Sequence, residues 1–486
     1  MTTDAAHDLR APRAAASVAG YADEADLIVV GYGAAGASCA IEAASEGAEV
    51  LVVERASAGG GTSANSGGLI YMGGGTALQG ALGFEDSPEE MFKYLMAACG
   101  PGPDEKLVGP FAEHSVAHFD WLVEQGLVFK EAFFPGAHEP ETDESLTYSG
   151  SEDCHPFCEI AKPAPRGHFA SVTGSKGAIL MKTLMASAQR RGVGVRGDTL
   201  AERLIVESDG RIVGVVVRSA GEEHCLRARR GVALTSGGFI WNEEMLAQHA
   251  PWLQRCKMKV GTENDDGSGI QMGIAAGAAT IRMDAADITL PVFPPVSFRE
   301  GMLVNRQGQR FLNEDAYMGR WGEFSLLHQD GRVWLVVDEP SFGQPKNIPE
   351  MEVVAGDSIE ELEREMGLPT GSLQQTASFY NEHAAKGEDP LFHKRSEYLR
   401  PLSQPPFGAI DLLPENSVYC AFTLGGFHID ADGRVQTPGG EAIPGLYAAG
   451  RTTSGISKQG YSSGISLGDG SFFGRRAGRA AASDPT

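Results

Sequence analysis

Gly31-Tyr-Gly-Ala-Ala-Gly36 follows the apolar run Leu27-Ile-Val-Val30 and opens into the alanine-rich segment 37–44. Glycines at a strand-to-helix turn let backbone N–H groups and the positive end of a helix dipole converge on an anion, as a pyrophosphate requires. Glu54 closes a second apolar run, Val50-Leu-Val-Val53, eighteen positions after Gly36. A carboxylate there can accept from a ribose hydroxyl. A glycine turn alone is a weak signal; strand, glycines, helix, strand and acid in this order predict a dinucleotide site. Cys154-His-Pro-Phe-Cys158 could also do chemistry by holding a metal, but no second pair answers it and the reading is that there is no metal site.

Those glycines need a buried sheet behind them. Leu204 to Val217 reads as a hairpin turning at Asp209-Gly210, and Gly231-Val-Ala-Leu-Thr-Ser-Gly-Gly238 as a second buried strand ending in small residues. Periodicity predicts helices over 111–127, 176–191 and 270–279. Gly59 to Gly68 is too glycine-rich for a packed element and lets backbone approach a flat ligand. Proline, aromatic and charged residues thicken from about Asp284 to Phe407, between Pro291, Pro294 and Pro295 at one end and Pro401, Pro405 and Pro406 at the other. The expected fold is α/β: a Rossmann-like dinucleotide-binding domain in two parts, 24–283 and 409–486, an inserted α+β substrate domain over 284–408, and a disordered tail over 1–23.

The 486 residues carry 64 acidic and 40 basic side chains, a net charge of −24, which argues against nucleic acid or an anionic membrane as a partner. Seven scattered cysteines, an odd number without framework spacing, predict a reducing, cytoplasmic setting. Residues 1–20 lack the unbroken apolar core of a signal or anchor, and no later segment reads as a membrane span. Subunit association is left open.

With its motifs in order, the chain resembles the flavoprotein family of fumarate reductases and 3-ketosteroid dehydrogenases over about residues 24–482. The resemblance rests on Gly31, Gly33 and Gly36 with Glu54, on Gly60-Gly-Thr-Ser63 with Ser66-Gly-Gly68, on Thr235-Ser-Gly-Gly238, and on Pro444-Gly-Leu-Tyr-Ala-Ala-Gly450. It implies FAD in an extended pose, with the isoalloxazine facing the junction with the inserted domain. The implied cradle is Gly31, Gly33, Ala35, Gly36, Glu54, Arg55, Gly60, Gly61, Thr62, Ser63, Ser66, Gly67, Gly68, Leu204, Ser236, Gly237, Gly267, Gly450, Ser466 and Leu467. Some relatives attach FAD through a histidine near the second glycine cluster; Gly59 to Gly68 contains none, so noncovalent FAD is expected.

Dicarboxylate reductases grip their substrate with arginine and histidine, because carboxylates need charge-assisted partners. Aligned on Arg310-Phe-Leu-Asn-Glu314, on the Thr423-x-Gly-Gly segment and on Phe473-Gly474, those positions fall here on Met318, Phe422 and Tyr461. A dicarboxylate would lie there uncompensated. Tyr317 and Tyr461-Ser-Ser463 are instead similar to the pattern of the 3-ketosteroid Δ4-(5α)-dehydrogenase branch. Ser462 and Ser463 stand where Δ1-dehydrogenases carry proline and glycine.

The implied reaction puts a C4–C5 double bond into an apolar 3-ketosteroid. In it Tyr461 donates to the C3 carbonyl, Ser463 takes the C4 proton with Tyr317 as relay, and flavin N5 takes hydride. The alternatives are a 3-ketosteroid Δ1-dehydrogenase, the same site running in reverse as an enoate- or fumarate-type reductase, or a silenced site in a flavin carrier. Phe293, Phe298, Trp321 and Phe392 are candidates for an apolar lining or for core, and His393 and His428 read as structural. One nucleotide-binding unit implies an external electron acceptor.

Overall fold

Leu27 to Val30 and Val50 to Val53 are apolar at every position because the strands they form are covered on both faces. The computed structural model, which describes residues 10–136, 140–345 and 351–485, makes them part of β1 (Asp23–Val30) and β2 (Val50–Val53), parallel neighbours with Leu27 opposite Val50. The sheet continues through β3 (Gly194–Arg196), β4 (Thr199–Val206), β5 (Ile212–Ser219) and β6 (Glu222–Leu234) in the order β4-β5-β6-β1-β2-β3. β4 and β5 form the expected hairpin, longer at both ends, with Gly210 of the turn at φ +91°. The first half of β6 pairs with β5 and its second half runs parallel to β1, Val232 opposite Ile28. Helices α1 (Ala34–Ser45), α2 (Lys176–Arg190) and α3 (Ser268–Ala275) follow strands or glycine loops of this layer.

Three expectations change. Residues 1–9 lie outside the described residues, but Arg13–Ala14 is not a disordered tail: it pairs in parallel with β4, Arg13 opposite Ile205, and Arg13 forms an ion pair with Glu223 at 2.7 Å. The helix expected over 111–127 is two, Glu105–Glu113 and Ser115–Gln125, parted at His114. The apolar period carries across that break, so periodicity reads one helix. α3 ends at Ala275, ahead of the predicted 279, because Gly277 turns out of the helix at φ +92°.

The block after Asp284 contains β7 (Ala286–Thr289), β8 (Met302–Asn305), α4 (Met318–Glu323), β9 (Val333–Val337), β10 (Val353–Gly356), α5 (Ser372–Ala384) and β11 (Phe407–Asp411). Four strands make a separate sheet, β8-β9-β11-β10, with its own buried cluster around Met302, Val336, Leu373 and Phe407. Under it Arg310 bonds both Glu314 (2.7 Å) and Asp389 (2.8 Å), and Lys394 lies 2.9 Å from Glu314, all four buried. Burial alone would raise the Glu314 pKa, but Arg310 and Lys394 outweigh it and hold the carboxyl below its usual range. β7 leaves this block and pairs with β12 (Cys420–Thr423), Asp287 opposite Phe422. The chain then returns to the large sheet as β13 (Ala442–Ala448), parallel to β6 with Tyr447 opposite Ala233, and ends in α6 (Ile465–Ser483).

α6 lies directly on α1. Gly474 and Gly478 are four apart and share one helix face, where a Cβ would come 2.4 Å from the Ala35 carbonyl oxygen and 2.2 Å from that of Cys39. Only bare backbone fits there. No helix among the described residues is long and apolar enough to cross a membrane. Gly474→Val should cost about 1–3 kcal/mol through forced separation of the helices, read as a lowered thermal midpoint. Gly80→Ala, at a helical position with open space around it, should not lower it. An unchanged midpoint for Gly474→Val would show that the contact does not set the helix spacing.

Candidate active site

Both helix starts, at Gly33 before α1 and at Gly464 before α6, open on one cavity of about 1030 Å³. That exceeds the roughly 300–1,000 Å³ of a site for one small ligand. At the first helix the Gly33 cap contributes no side-chain hydrogen bond. Ala34 N–H donates to Ser63 Oγ at 3.1 Å, and the next amides of the turn, without intrahelical acceptors, are free for an anion. Gly31 sits at φ +97°, and a Cβ on Gly36 would lie 2.0 Å from the Gly31 carbonyl oxygen. The turn is built for backbone alone. Glu54 faces the cavity while its two oxygens accept from the amides of Tyr32 (2.8 Å) and Ala56 (2.9 Å), which fixes the carboxylate in place. Farther along, Thr62 Oγ1 donates to Asp265 Oδ2 at 2.9 Å, and Arg451 pairs with the same carboxylate.

Of the cofactor residues anticipated from sequence, Gly31, Gly33, Ala35, Glu54, Arg55, Gly61, Thr62, Ser63, Ser66, Gly67, Gly68, Ser236, Gly237, Gly450, Ser466 and Leu467 line the cavity. Leu204 does not line the cavity. It is fully buried on β4 opposite Val215, and that strand reaches the cavity through Thr199, Leu200 and Ala201 instead. Gly36, Gly60 and Gly267 stand behind the wall. A Cβ on Gly267 would strike Met245 Sδ at 2.4 Å and one on Gly60 would meet Ala64 Cβ at 2.8 Å, so their smallness serves packing.

The three residues named for chemistry come together at the second helix start. Tyr317 precedes α4 and Tyr461 and Ser463 precede α6; all three line the cavity. The Tyr317 hydroxyl faces the side chains of Ser463 and Thr289, which offset part of the rise that burial gives its pKa. Tyr461 Oη accepts the backbone N–H of Ser466 at 2.9 Å, so its own proton is left to point elsewhere. Burial raises the pKa of both phenols, with Asp287 adding to it, so both are neutral donors at neutral pH. Ser462 turns away to the Tyr94 hydroxyl at 2.7 Å. Ser463 is not the helix cap, which is Gly464.

Met318, Phe422 and Phe293 supply apolar wall, Phe422 meeting the Tyr461 ring edge-on at 5.4 Å. Trp321 and Phe298 are buried outside the lining, with Trp321 against Phe293, and Phe392 stacks on Arg310 in the buried ion cluster. The cations that line the cavity come from other positions than those aligned with the dicarboxylate ligands: Arg55 is paired with Asp266, Arg395 with Asp153 and Asp315, and Arg451 with Asp265, and Arg299 lies over the rings of Phe293 and Tyr398. Sequence reasoning missed Asp287 and Thr289, which also line the cavity. Their signal was two polar residues spaced by two in an apolar strand, hence on one face. Cys154, singled out as a metal candidate, donates its thiol to the Asp315 carbonyl at 3.1 Å, and no group of three His, Cys, Asp or Glu able to hold a metal occurs among the described residues.

A mixed sheet with a parallel centre, a bare glycine turn with free amides, an acid anchored at the end of the second strand and a hydroxyl cluster in one long cavity are the features of an FAD-dependent oxidoreductase. The chain belongs to the FAD binding domain family, which matches residues 26–467. It is 29% identical over 504 residues to the 3-oxo-5-alpha-steroid 4-dehydrogenase of Comamonas testosteroni, covering 88% of this chain and 93% of that one. To a probable fumarate reductase of Shewanella frigidimarina it is 27% identical over 96% of this chain and 76% of that one. Among solved structures, it is similar to the 3-ketosteroid-Δ4-(5α)-dehydrogenase of Rhodococcus jostii RHA1 in complex with 4-androstene-3,17-dione: 45% identity, TM-score 0.93, covering 98% of this chain and all of that one. Gly36→Val should leave a folded protein that has lost most of its flavin, read as the ratio of flavin to protein absorbance after purification. Full flavin content would remove this turn from the cofactor cradle.

Proposed function

We propose that the protein is an FAD-dependent 3-ketosteroid Δ4-(5α)-dehydrogenase, forming the C4–C5 double bond of a saturated 3-ketosteroid. Support comes from one observation above all: Tyr461 and Ser463 share a cavity wall with Tyr317, and the Tyr461 oxygen already accepts the Ser466 N–H. A carbonyl at C3 would receive the free phenolic proton, and the amide of a helix's first turn steadies the phenol as the carbonyl oxygen gains charge. Ser463 takes the proton from C4 while handing its own to Tyr317, which lines the same wall. Met318 and Phe422 exclude water and give the apolar rings a surface to bury against. Bound noncovalently, FAD supplies the two-electron acceptor for the hydrogen leaving C5.

The similarity to the Rhodococcus enzyme at 45% identity supports this branch over a dicarboxylate reductase. So do Met318, Phe422 and Tyr461, because a diacid held there would meet apolar and phenolic groups where it needs cations. Reoxidation is assigned to an external acceptor.

Anaerobic titration with a saturated 3-ketosteroid should bleach the flavin absorbance of the purified protein. In Tyr461→Phe the rate should fall by about 10²–10³-fold, the cost of losing one oxyanion donor, with flavin content unchanged. Bleaching at the wild-type rate in the variant would take Tyr461 out of the mechanism. Reoxidation of the chemically reduced protein by fumarate, with no response to ketosteroids, would replace the reading by a dicarboxylate reductase.

A further inference from the structure

A serine hydroxyl is a poor base, and Tyr317 only moves the difficulty one residue along: the proton must end on a group able to keep it. The row of hydroxyls does not stop at Tyr317. Its hydroxyl faces the Thr289 side chain, and Thr289 Oγ1 donates to Asp287 Oδ2 at 2.9 Å; Tyr317 and Asp287 also converge at Gly319, where a Cβ would come 2.3 Å from the tyrosine ring and 2.9 Å from Asp287 Oδ1. Asp287 and Thr289 are two apart on β7, so both project from one face of the strand into the same cavity wall. Resting on the ketosteroid reading, we infer that Asp287 is the terminal acceptor of the C4 proton, reached through Thr289, Tyr317 and Ser463.

The donor directions already favour this. Thr289 gives its proton to Asp287, which leaves the Thr289 oxygen open to a proton from Tyr317, and the Tyr317 oxygen open in turn to one from Ser463 on the same wall. When the C4–H bond breaks, its electron pair stays on the substrate as the C3 enolate beside Tyr461. Ser463 gains the C4 proton and passes on its own, Tyr317 and Thr289 do the same, and the last proton forms an O–H bond on Asp287. Three hydroxyls end as they began; one carboxylate becomes a carboxylic acid.

The surroundings of Asp287 suit that role. It is buried, and no cation pairs with it among the described residues. Burial pushes its carboxyl up to about 7, the Thr289 hydrogen bond pulls it back, and Glu323 of α4 raises it further. The phenols of Tyr317 and Tyr461 and the thiols of Cys256 and Cys420 are the other titratable groups in its field. A base poised near neutral pH is about optimal for this step. The base must be ionised, so the rate of proton removal rises as pH increases through about 7 and then levels.

Asp287→Asn keeps the shape and still accepts from Thr289 but cannot take a proton. Two measurements on the holoprotein test it: the pH profile of anaerobic flavin bleaching by a saturated 3-ketosteroid, and deuterium uptake from heavy water into C4 of that steroid with the flavin held reduced by dithionite, which leaves proton exchange as the only reaction. In Asp287→Asn both rates should drop by about 100-fold or more and the rise through neutral pH should vanish, at unchanged flavin content. Thr289→Val should reproduce the loss and Thr289→Ser restore the rate, which covers the case in which the Asp287 variant fails to fold. Wild-type rates and pH profile in Asp287→Asn or in Thr289→Val, with a wild-type protein that bleaches and exchanges, would overturn the relay alone. A wild-type protein that does neither with any 3-ketosteroid would sink the ketosteroid reading and the relay with it.

Discussion

The backbone contact between α1 and α6 sets the geometry of everything else. With no side chain between Gly474 and Ala35 or between Gly478 and Cys39, the two helices cannot slide or tilt without breaking van der Waals contact along their length. α1 begins at the bare glycine turn and α6 begins just after Tyr461 and Ser463. Fixing one helix on the other therefore fixes the distance from the anion-binding amides to the hydroxyl cluster. A site for an extended dinucleotide needs that long-range constraint, because its two ends lie too far apart to be placed by any one loop.

Polarity divides the cavity in a related way. Its end at the glycine turn is lined by amides and by the Glu54 carboxylate pinned between two backbone donors. Its other end gathers two phenols, hydroxyls, a thioether and aromatic rings, with the Asp287 carboxylate behind them and the paired Arg451 and Asp265 flanking Phe422. Buried hydroxyls that hydrogen-bond one another escape the desolvation cost of an unpaired polar group and still have protons to move. Tyr317 arrives in this company from the inserted block, whose Arg310, Glu314, Asp389 and Lys394 cluster holds the segment just upstream of it. Its own amide is tied to Ser151 Oγ at 3.1 Å.

Much of this was legible in the sequence because its signals are local. Gly31 to Gly36, the hydrophobic runs of β1 and β2, and the turn at Asp209-Gly210 each declare themselves within a few residues. Tyr317, Tyr461 and Ser463 were found through family resemblance; no spacing rule links positions 144 apart. Leu204 was misplaced because strand register decides which residues of β4 meet the cavity, and register follows from pairing with β5. The break at His114 left no trace in a periodicity that runs through it. Asp287 and Thr289 were passed over for another reason: their spacing puts them on one face, but its meaning depends on Tyr317 lying near them, a contact between segments that the one-dimensional pattern does not bring together.

The pairing of β7 with β12 bears on how the inserted block is held. The chain enters the block through β7 and re-emerges at β12, and these two strands are hydrogen-bonded to each other, with Asp287 across from Phe422. Entrance and exit are thus stitched into a single ladder, two rungs of which, Asp287 and Phe422, are themselves part of the cavity wall. Whatever loosens that seam disturbs the anchorage of the block and the shape of the cavity together.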